Sequence, residues 1–368
     1  MNTFIMHLKQ LPLWAKSSLA SLAFILTFIG IGAYADASLF DFTTNKEAPA
    51  FGRSIPADPI NSFLRYDSNH YRTIATNGYV PMETAFFPLY PLLVKGVSYA
   101  SGASISVSLF IVSFGFLIAS AIVLAYWLRF ELKLRKSKLS PWAVIGLIAL
   151  FPTSFYMALG YSESLFVFVT ISALFAYRKG NYWLAAIAVI LVTATRVQGG
   201  ALAIFFLLDY LFNRKWSEWK KLLPVVAAPL GLVAYMVYLW ITFGNPFEFV
   251  AAQQNWGRLN GNIIENLISS LRPPYLWYLP VLGVMLWAVW KYLGKTWFIY
   301  CLIFILIPLS SGRLDSLNRY MIALPPLFLA LALYFESKPA LLKTFYVATS
   351  AFLLAWNILL FTNDYWVA

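Results

Sequence analysis

The sequence predicts an all-α, polytopic membrane protein, and three observations carry that fold class. Of its 368 residues, 61% are hydrophobic and only 11% are charged, whereas soluble domains carry about 25% charged residues. Charge-free runs such as "SSLASLAFILTFIGIGAYA", residues 17–35, recur along the whole chain; a helix of about 20 apolar residues crosses the hydrocarbon core. Most lysines and arginines sit in the short segments between those runs, as in membrane proteins whose cytoplasmic loops are basic. The same distribution argues against a nucleic-acid partner, despite a net charge of +12, because the basic residues form no single patch or stripe.

Taken in order, about eleven spans are predicted, at roughly 17–35, 104–128, 141–159, 162–177, 182–196, 198–213, 222–243, 275–290, 296–311, 320–336 and 344–361. Several are shorter than a full crossing, which a thinned bilayer or a place inside the bundle accommodates. With the N-terminus in the cytoplasm, the inside segments 1–16, 129–140, 178–181, 214–221, 291–295 and 337–343 hold most of the basic residues. The outside segments hold most of the acidic ones. That places the C-terminus outside. Residues 86–100 contain Pro88, Pro91 and Lys95 and are predicted as a helix lying at the interface or dipping partway in. The outer face then carries a large first loop, about 36–103, with short interfacial helices, and a second loop, about 244–274. With no repeat, linker or second domain evident, residues 1–368 form a single integral-membrane domain. Cys301 is the one cysteine, so there is neither an intrachain disulfide nor a thiolate metal site. Ala33–Tyr34–Ala35 has the form of a signal-peptidase site; the apolar stretch before it exceeds a usual signal h-region, which favours an uncleaved anchor.

One polar stretch interrupts this pattern: "FLRYDSNHYRTIATNGYVPMETAFFPLYPLL", residues 63–93. Its "YDSNHYRTIATNG" portion is predicted as one short helix, with Asp67 or Ser68 at the N-cap and Asn77–Gly78 as the stop. At helical spacing Asp67, His70 and Tyr71 share a face, continued by Ile74 and Ala75. The polar side is expected at the bundle mouth and the apolar side on the lipid surface. A carboxylate there can take the proton of an attacking hydroxyl, and the amide donors and dipole of a helix start favour its charged form. The competing reading makes Asp67 a plain helix cap and His70 an interfacial polar residue.

The stretch resembles the first outer loop of the GPI mannosyltransferase II (PIG-V) family, with its W-D-x-x-H/W-[FY]-x-x-I-A-x-x-G-Y pattern followed by A-F-F-P-x-[FY]-P. Asp67, His70, Tyr71, Ile74, Ala75, Gly78 and Tyr79 match, as do Ala85, Phe86, Phe87, Pro88 and Pro91. Tyr66 departs from it, standing where the family usually has Trp. "FPTSFYMALGYSESLF" (151–166), "ATRVQGG" (194–200) and "NRYMIALPPLF" (318–328) resemble further family segments in the right order. The resemblance implies a C-type (GT-C) glycosyltransferase bundle that takes a sugar, mannose in this family, from a polyprenyl-phosphate carrier on the outer or lumenal side. It implies Asp67 as the base of an inverting transfer. The family's GPI-precursor acceptor does not carry over; the acceptor expected here is a lipid-linked or envelope glycan.

A lipid-phosphate donor needs cations at the membrane surface, and the planar guanidinium suits phosphate. The outward candidates are Arg53, Arg65, Arg72, Arg196, Arg258, Arg272, Arg313 and Arg319. Arg196 and Arg319 stand out, each at a span's outer end inside a family-like segment; snorkelling, or pairing with Asp315 or Glu163, is the alternative. Glu163 opens a span. It could bind sugar hydroxyls, orient Arg196 or act as a second base, against a plain helix-start charge. Together with His70, Tyr71 and Tyr320 these make the expected substrate-binding set. Glu83 matches no motif and ranks lower. Trp256, Tyr275 and Trp277 are read first as an interfacial belt. No metal or other cofactor is expected: there are two histidines, one of them the cytoplasmic His7, and no carboxylate cluster beside Asp67. The sequence has no Walker A, dinucleotide or DxD motif, which disfavours a nucleotide-sugar donor. Two rivals remain at this point, a lipid or solute transporter or flippase and a non-catalytic subunit. Transporters place ionisable groups near the bilayer midplane, whereas here they gather at the span ends.

Overall fold

A computed structural model describes residues 11–37, 63–213, 216–257, 262–270, 278–310, 316–362 and 365–367. Much of the first predicted outer loop, Arg53, Arg258, Arg272, Arg313, Asp315, Tyr275, Trp277 and His7 lie outside the described residues, as does the side chain of Trp256. The described elements are helices, with no strand among them: α1 Leu13–Ala37, α2 Asp67–Asn77, α3 Leu89–Ser101, α4 Ile105–Leu134, α5 Pro141–Ala149, α6 Glu163–Arg178, α7 Tyr182–Thr195, α8 Ala201–Phe212, α9 Leu223–Phe243, α10 Glu248–Ala251, α11 Ile263–Ser270, α12 Tyr278–Ala288, α13 Lys295–Leu309, α14 Leu317–Ile322, α15 Pro325–Glu336 and α16 Ala340–Thr362. Leu13–Gly32, Ile105–Leu134, Glu218–Phe243 and Ala340–Thr362 are long and apolar enough to cross a membrane, and five shorter apolar helices accompany them. The chain is therefore an all-helical membrane protein.

Two predicted spans are interrupted. Residues 141–159 divide into α5 and a 3-10 turn, Ser154–Ala158, on either side of Pro152. Residues 320–336 divide into α14 and α15 at Pro325. Proline removes an intrahelical donor and clashes with the preceding turn, so averaged hydropathy ran through breaks that the backbone could not. Residues 89–101 do form a helix, α3, of 13 residues, about 20 Å long against a hydrocarbon core of about 30 Å.

The bundle is assembled by close approach rather than by bulk hydrophobicity, as expected where lipid is as apolar as the side chains. α7 packs on α9 and α6, α4 on α6 and α1, and α1 on α16. At the α7–α9 crossing a Cβ on Gly231 would stand 2.1 Å from the Ile190 carbonyl oxygen. The Thr193 hydroxyl donates across the same crossing to the Ala228 carbonyl at 2.7 Å. Phe155, Tyr156, Phe166, Phe205, Phe206, Phe304 and Phe328 fill the interior and are fully buried.

α6 sets the two poles. Its last residue, Arg178, donates through Nε to Glu131 at 2.9 Å, and Glu131 also pairs with Arg135. Its first residue, Glu163, lies at the other end of this 16-residue helix, about 22 Å away, and there the second ionic cluster forms.

Candidate active site

α2 begins at Asp67 itself. Tyr66 holds the N-cap position at φ 53° and the helix stops at Gly78, φ 86°. The expected cap by Asp67 or Ser68 is therefore absent: no side chain caps this helix, and the Asp67 carboxylate is turned to another partner. The apolar face is also placed differently from expectation. Ser68, Tyr71, Ile74 and Ala75 are buried against α3 and α4, because protein covers the face that lipid was expected to cover. Left-handed backbone at a bulky residue costs on the order of 1–3 kcal/mol and persists only when its surroundings hold it. Tyr66 is held edge-on against Trp366, 4.9 Å between ring centres, and against Phe361. Ser316, which precedes α14 and therefore Arg319, is left-handed too, φ 72°. Both helices that carry the principal ion pair thus start from strained residues.

That pair joins residues 252 positions apart: Arg319 Nη1 donates to Asp67 Oδ2 at 2.7 Å. Arg319 Nε approaches Glu163 Oε1 at 3.3 Å, and Arg196 Nη2 approaches the same oxygen at 2.5 Å. Both Glu163 contacts are ionic contacts without hydrogen-bond alignment. Arg196 also donates through Nε and Nη2 to Ser162 Oγ at 3.0 and 2.9 Å. Ser162 shares a hydrogen bond of 2.9 Å with the Tyr71 hydroxyl. Two carboxylates and two guanidiniums thus form one neutral cluster. A graded burial runs through it: the side chain of Glu163 is 0% exposed, Arg319 7%, Arg196 11% and Asp67 19%. Buried charges are tolerated when paired in this way.

The surrounding frame explains why these groups meet. The Tyr161 hydroxyl donates to the Arg65 carbonyl at 3.0 Å, and Ser113 Oγ donates to the Tyr161 carbonyl at 3.2 Å, which fixes the 160–163 turn onto α4. Asn318 Oδ1 accepts from the Arg319 amide at 2.8 Å, and Asn318 Nδ2 donates to the Val367 carbonyl at 3.2 Å. Thr153 Oγ1 donates to the Asn318 carbonyl at 3.1 Å. The rings of Tyr156, Tyr161, Tyr320 and Trp366 lie 5.4–5.9 Å from Arg319 Cζ, a cation–π cage. Burial pushes the Tyr71 hydroxyl up to about 12, with Arg196 opposing and Glu163 adding to the rise.

Of the expected site residues, the structure gathers Asp67, Tyr71, Glu163, Arg196 and Arg319, with Tyr320 beside the last. His70 faces a different partner: its Nδ1 meets Glu83 Oε2 at 2.8 Å, and its ring stacks on Phe86 at 4.7 Å and 18°. Arg65 caps the end of α16, donating to the Thr362 carbonyl at 3.0 Å, and Arg72 is half-buried on α2. Sequence reasoning passed over Ser162 and Tyr156 and ranked Glu83 low. Ser162 and Tyr156 stand inside the family-like 151–166 segment and so carried a usable signal; Glu83 carried none.

Fold and site together define a helical integral-membrane protein with an ionic site at one pole of its bundle. The chain belongs to the Mannosyltransferase (PIG-V) family, whose model matches residues 14–248. Asp67, His70, Tyr71, Glu163 and Arg196 fall inside that match, and Arg319 and Tyr320 fall beyond it. Among curated relatives, the chain is 24% identical over 291 residues to GPI alpha-1,6-mannosyltransferase 2 of Mus musculus, covering 63% of this chain and 58% of that protein. It is 30% identical over 199 residues to the protein of the same name from Cricetulus griseus, covering 51% and 39%, and 30% identical over 191 residues to that of Rattus norvegicus, covering 50% and 38%. The chain spans about half the length of these relatives.

Proposed function

We propose that this chain is a membrane mannosyltransferase that moves mannose from a polyprenyl-phosphate carrier to a lipid-linked or envelope glycan acceptor, with inversion. The reaction takes place on the extracytoplasmic or lumenal face, with the N-terminus in the cytoplasm and the spans arranged about the number the sequence predicts. One observation supports this above the rest: four segments far apart in sequence converge on a single buried ionic cluster, and its most exposed member is Asp67.

In this reaction Asp67 accepts the proton of the acceptor hydroxyl. The hydroxyl oxygen bonds to the anomeric carbon while the bond from that carbon to the carrier's phosphate oxygen breaks. The electron pair leaves with polyprenyl phosphate, and a guanidinium steadies its charge in a site poor in water. No metal takes part. Glu163, wholly buried between Arg196 and Arg319, orients those cations. Tyr71 holds Ser162 beneath Arg196. His70 and Tyr320 complete the proposed substrate-binding set. Ionisable groups at a pole rather than along a midplane path favour transfer over transport.

The test supplies the purified protein, in membrane lipid extract, with radiolabelled polyprenyl-phosphate-mannose or with a nucleotide-linked mannose. Transfer of label to a glycolipid from the polyprenyl donor alone is the expected result. Lipid scrambling without transfer from either donor would favour the transporter.

A further inference from the structure

We infer that Arg319 is the exchangeable cation of this site. The phosphate of the substrate takes Arg319 over from Asp67, so the base is released only once that phosphate is seated. The inference rests on the transfer reaction proposed above.

The charge balance is the first reason. At rest, Asp67 and Glu163 neutralise Arg196 and Arg319, and no guanidinium of the cluster is left over for an incoming anion. Within this cluster, a phosphate gains a guanidinium by replacing a carboxylate. The second reason is that the four members are not equally replaceable. Arg196 is anchored by Glu163 and twice by Ser162, which Tyr71 holds in turn. Glu163 is enclosed. Asp67 is the most exposed member, and a single contact of 2.7 Å joins it to Arg319. The third reason is a pair of donors that make no aligned hydrogen bond. Arg319 Nε and the Tyr156 hydroxyl are both buried without a hydrogen-bond partner among the described residues, and the Tyr156 ring lies 5.4 Å from the guanidinium. Buried donors left unmade are costly. A phosphate presents several acceptor oxygens, enough for Nε and Nη1 of one guanidinium together. The aromatic cage holds the guanidinium in place while its hydrogen bonds change partners.

The exchange has a chemical consequence. A guanidinium at hydrogen-bond distance stabilises a carboxylate's charge and opposes its taking a proton. Moving Arg319 onto the phosphate turns Asp67 from half of an ion pair into a proton acceptor, and places the cation where the leaving group gains charge. Donor binding then precedes activation of the acceptor.

The full chain in lipid nanodiscs is titrated with radiolabelled farnesyl phosphate, with farnesol as the phosphate-free control. Asp67→Asn removes the competitor, so it binds farnesyl phosphate about tenfold or more tightly than wild type. Arg319→Gln weakens binding, and in that background Asp67→Asn brings no gain. Infrared difference spectra of wild type show a carboxylate band that moves on adding farnesyl phosphate, stays still with farnesol, and is missing in Asp67→Asn. Equal affinity of wild type and Asp67→Asn, an equal gain in the Arg319→Gln background, or binding without a band shift overturns the exchange and leaves the proposed reaction standing. Failure of every form to bind farnesyl phosphate overturns the donor assignment itself.

Discussion

Removing the charge of Glu163 probes the cluster most sharply. The carboxylate is 0% exposed, with one oxygen 2.5 Å from Arg196 and 3.3 Å from Arg319. Glu163→Gln keeps the shape and leaves two buried guanidiniums with one counter-charge, Asp67, which reaches only Arg319. Breaking a buried pair by removing one partner costs about 3–5 kcal/mol, a large part of a typical 5–15 kcal/mol. Glu218→Gln serves as the contrast: that carboxylate is 34% exposed and pairs with Lys221 one turn away, and such pairs are worth about 0–1 kcal/mol. Thermal unfolding in one detergent, followed by intrinsic fluorescence, compares the two. The expected result is a Glu163→Gln midpoint many degrees below wild type, with Glu218→Gln within a degree or two. A Glu163→Gln protein as stable as wild type would mean that the cluster does not depend on this charge.

Three further outcomes follow from the same geometry. Burial raises the Tyr71 hydroxyl from its ordinary 10.0 to about 12, so the native state holds that proton more tightly than the unfolded chain does. The stability this confers is complete below pH 10 and is lost as pH rises toward 12, at about 1.4 kcal/mol per unit; Tyr71→Phe should lose less stability between pH 9.5 and 11.5 than wild type. His70 and Glu83 meet at 2.8 Å, so a double-mutant cycle of His70→Ala and Glu83→Gln should give a stability coupling of about 1–3 kcal/mol, and strict additivity would contradict the pairing. Gly231→Ala drives a methyl into the Ile190 carbonyl and should cost about 1–3 kcal/mol, read as a lower unfolding midpoint; an unchanged midpoint would show that α7 and α9 part freely.

Local periodicity made part of the site legible. The i, i+3, i+4 spacing put Asp67, His70 and Tyr71 on one helix, and Asn77–Gly78 marked its end, because these features depend on neighbours in sequence. Glu163, Arg196 and Arg319 were visible as charges at the ends of apolar runs, where charge is costly without a purpose. Their partners were not visible. Arg319 meets Asp67 across 252 positions, and no local rule links them. The fold of His70 onto Glu83 depends on the Pro81–Ala85 turn, which Tyr235 ties to α9 by donating to the Thr84 carbonyl at 2.7 Å. The broken spans were legible in principle. Pro152 and Pro325 announced them, and hydropathy averaging concealed them.

The central claim is that Asp67 takes the acceptor's proton. It is tested most directly by measuring, on one preparation, farnesyl phosphate binding and mannose transfer from polyprenyl-phosphate-mannose for wild type and Asp67→Asn. The account predicts that the variant binds farnesyl phosphate more tightly while its transfer rate falls by about 10²–10⁴-fold. Transfer at the wild-type rate by Asp67→Asn would contradict it.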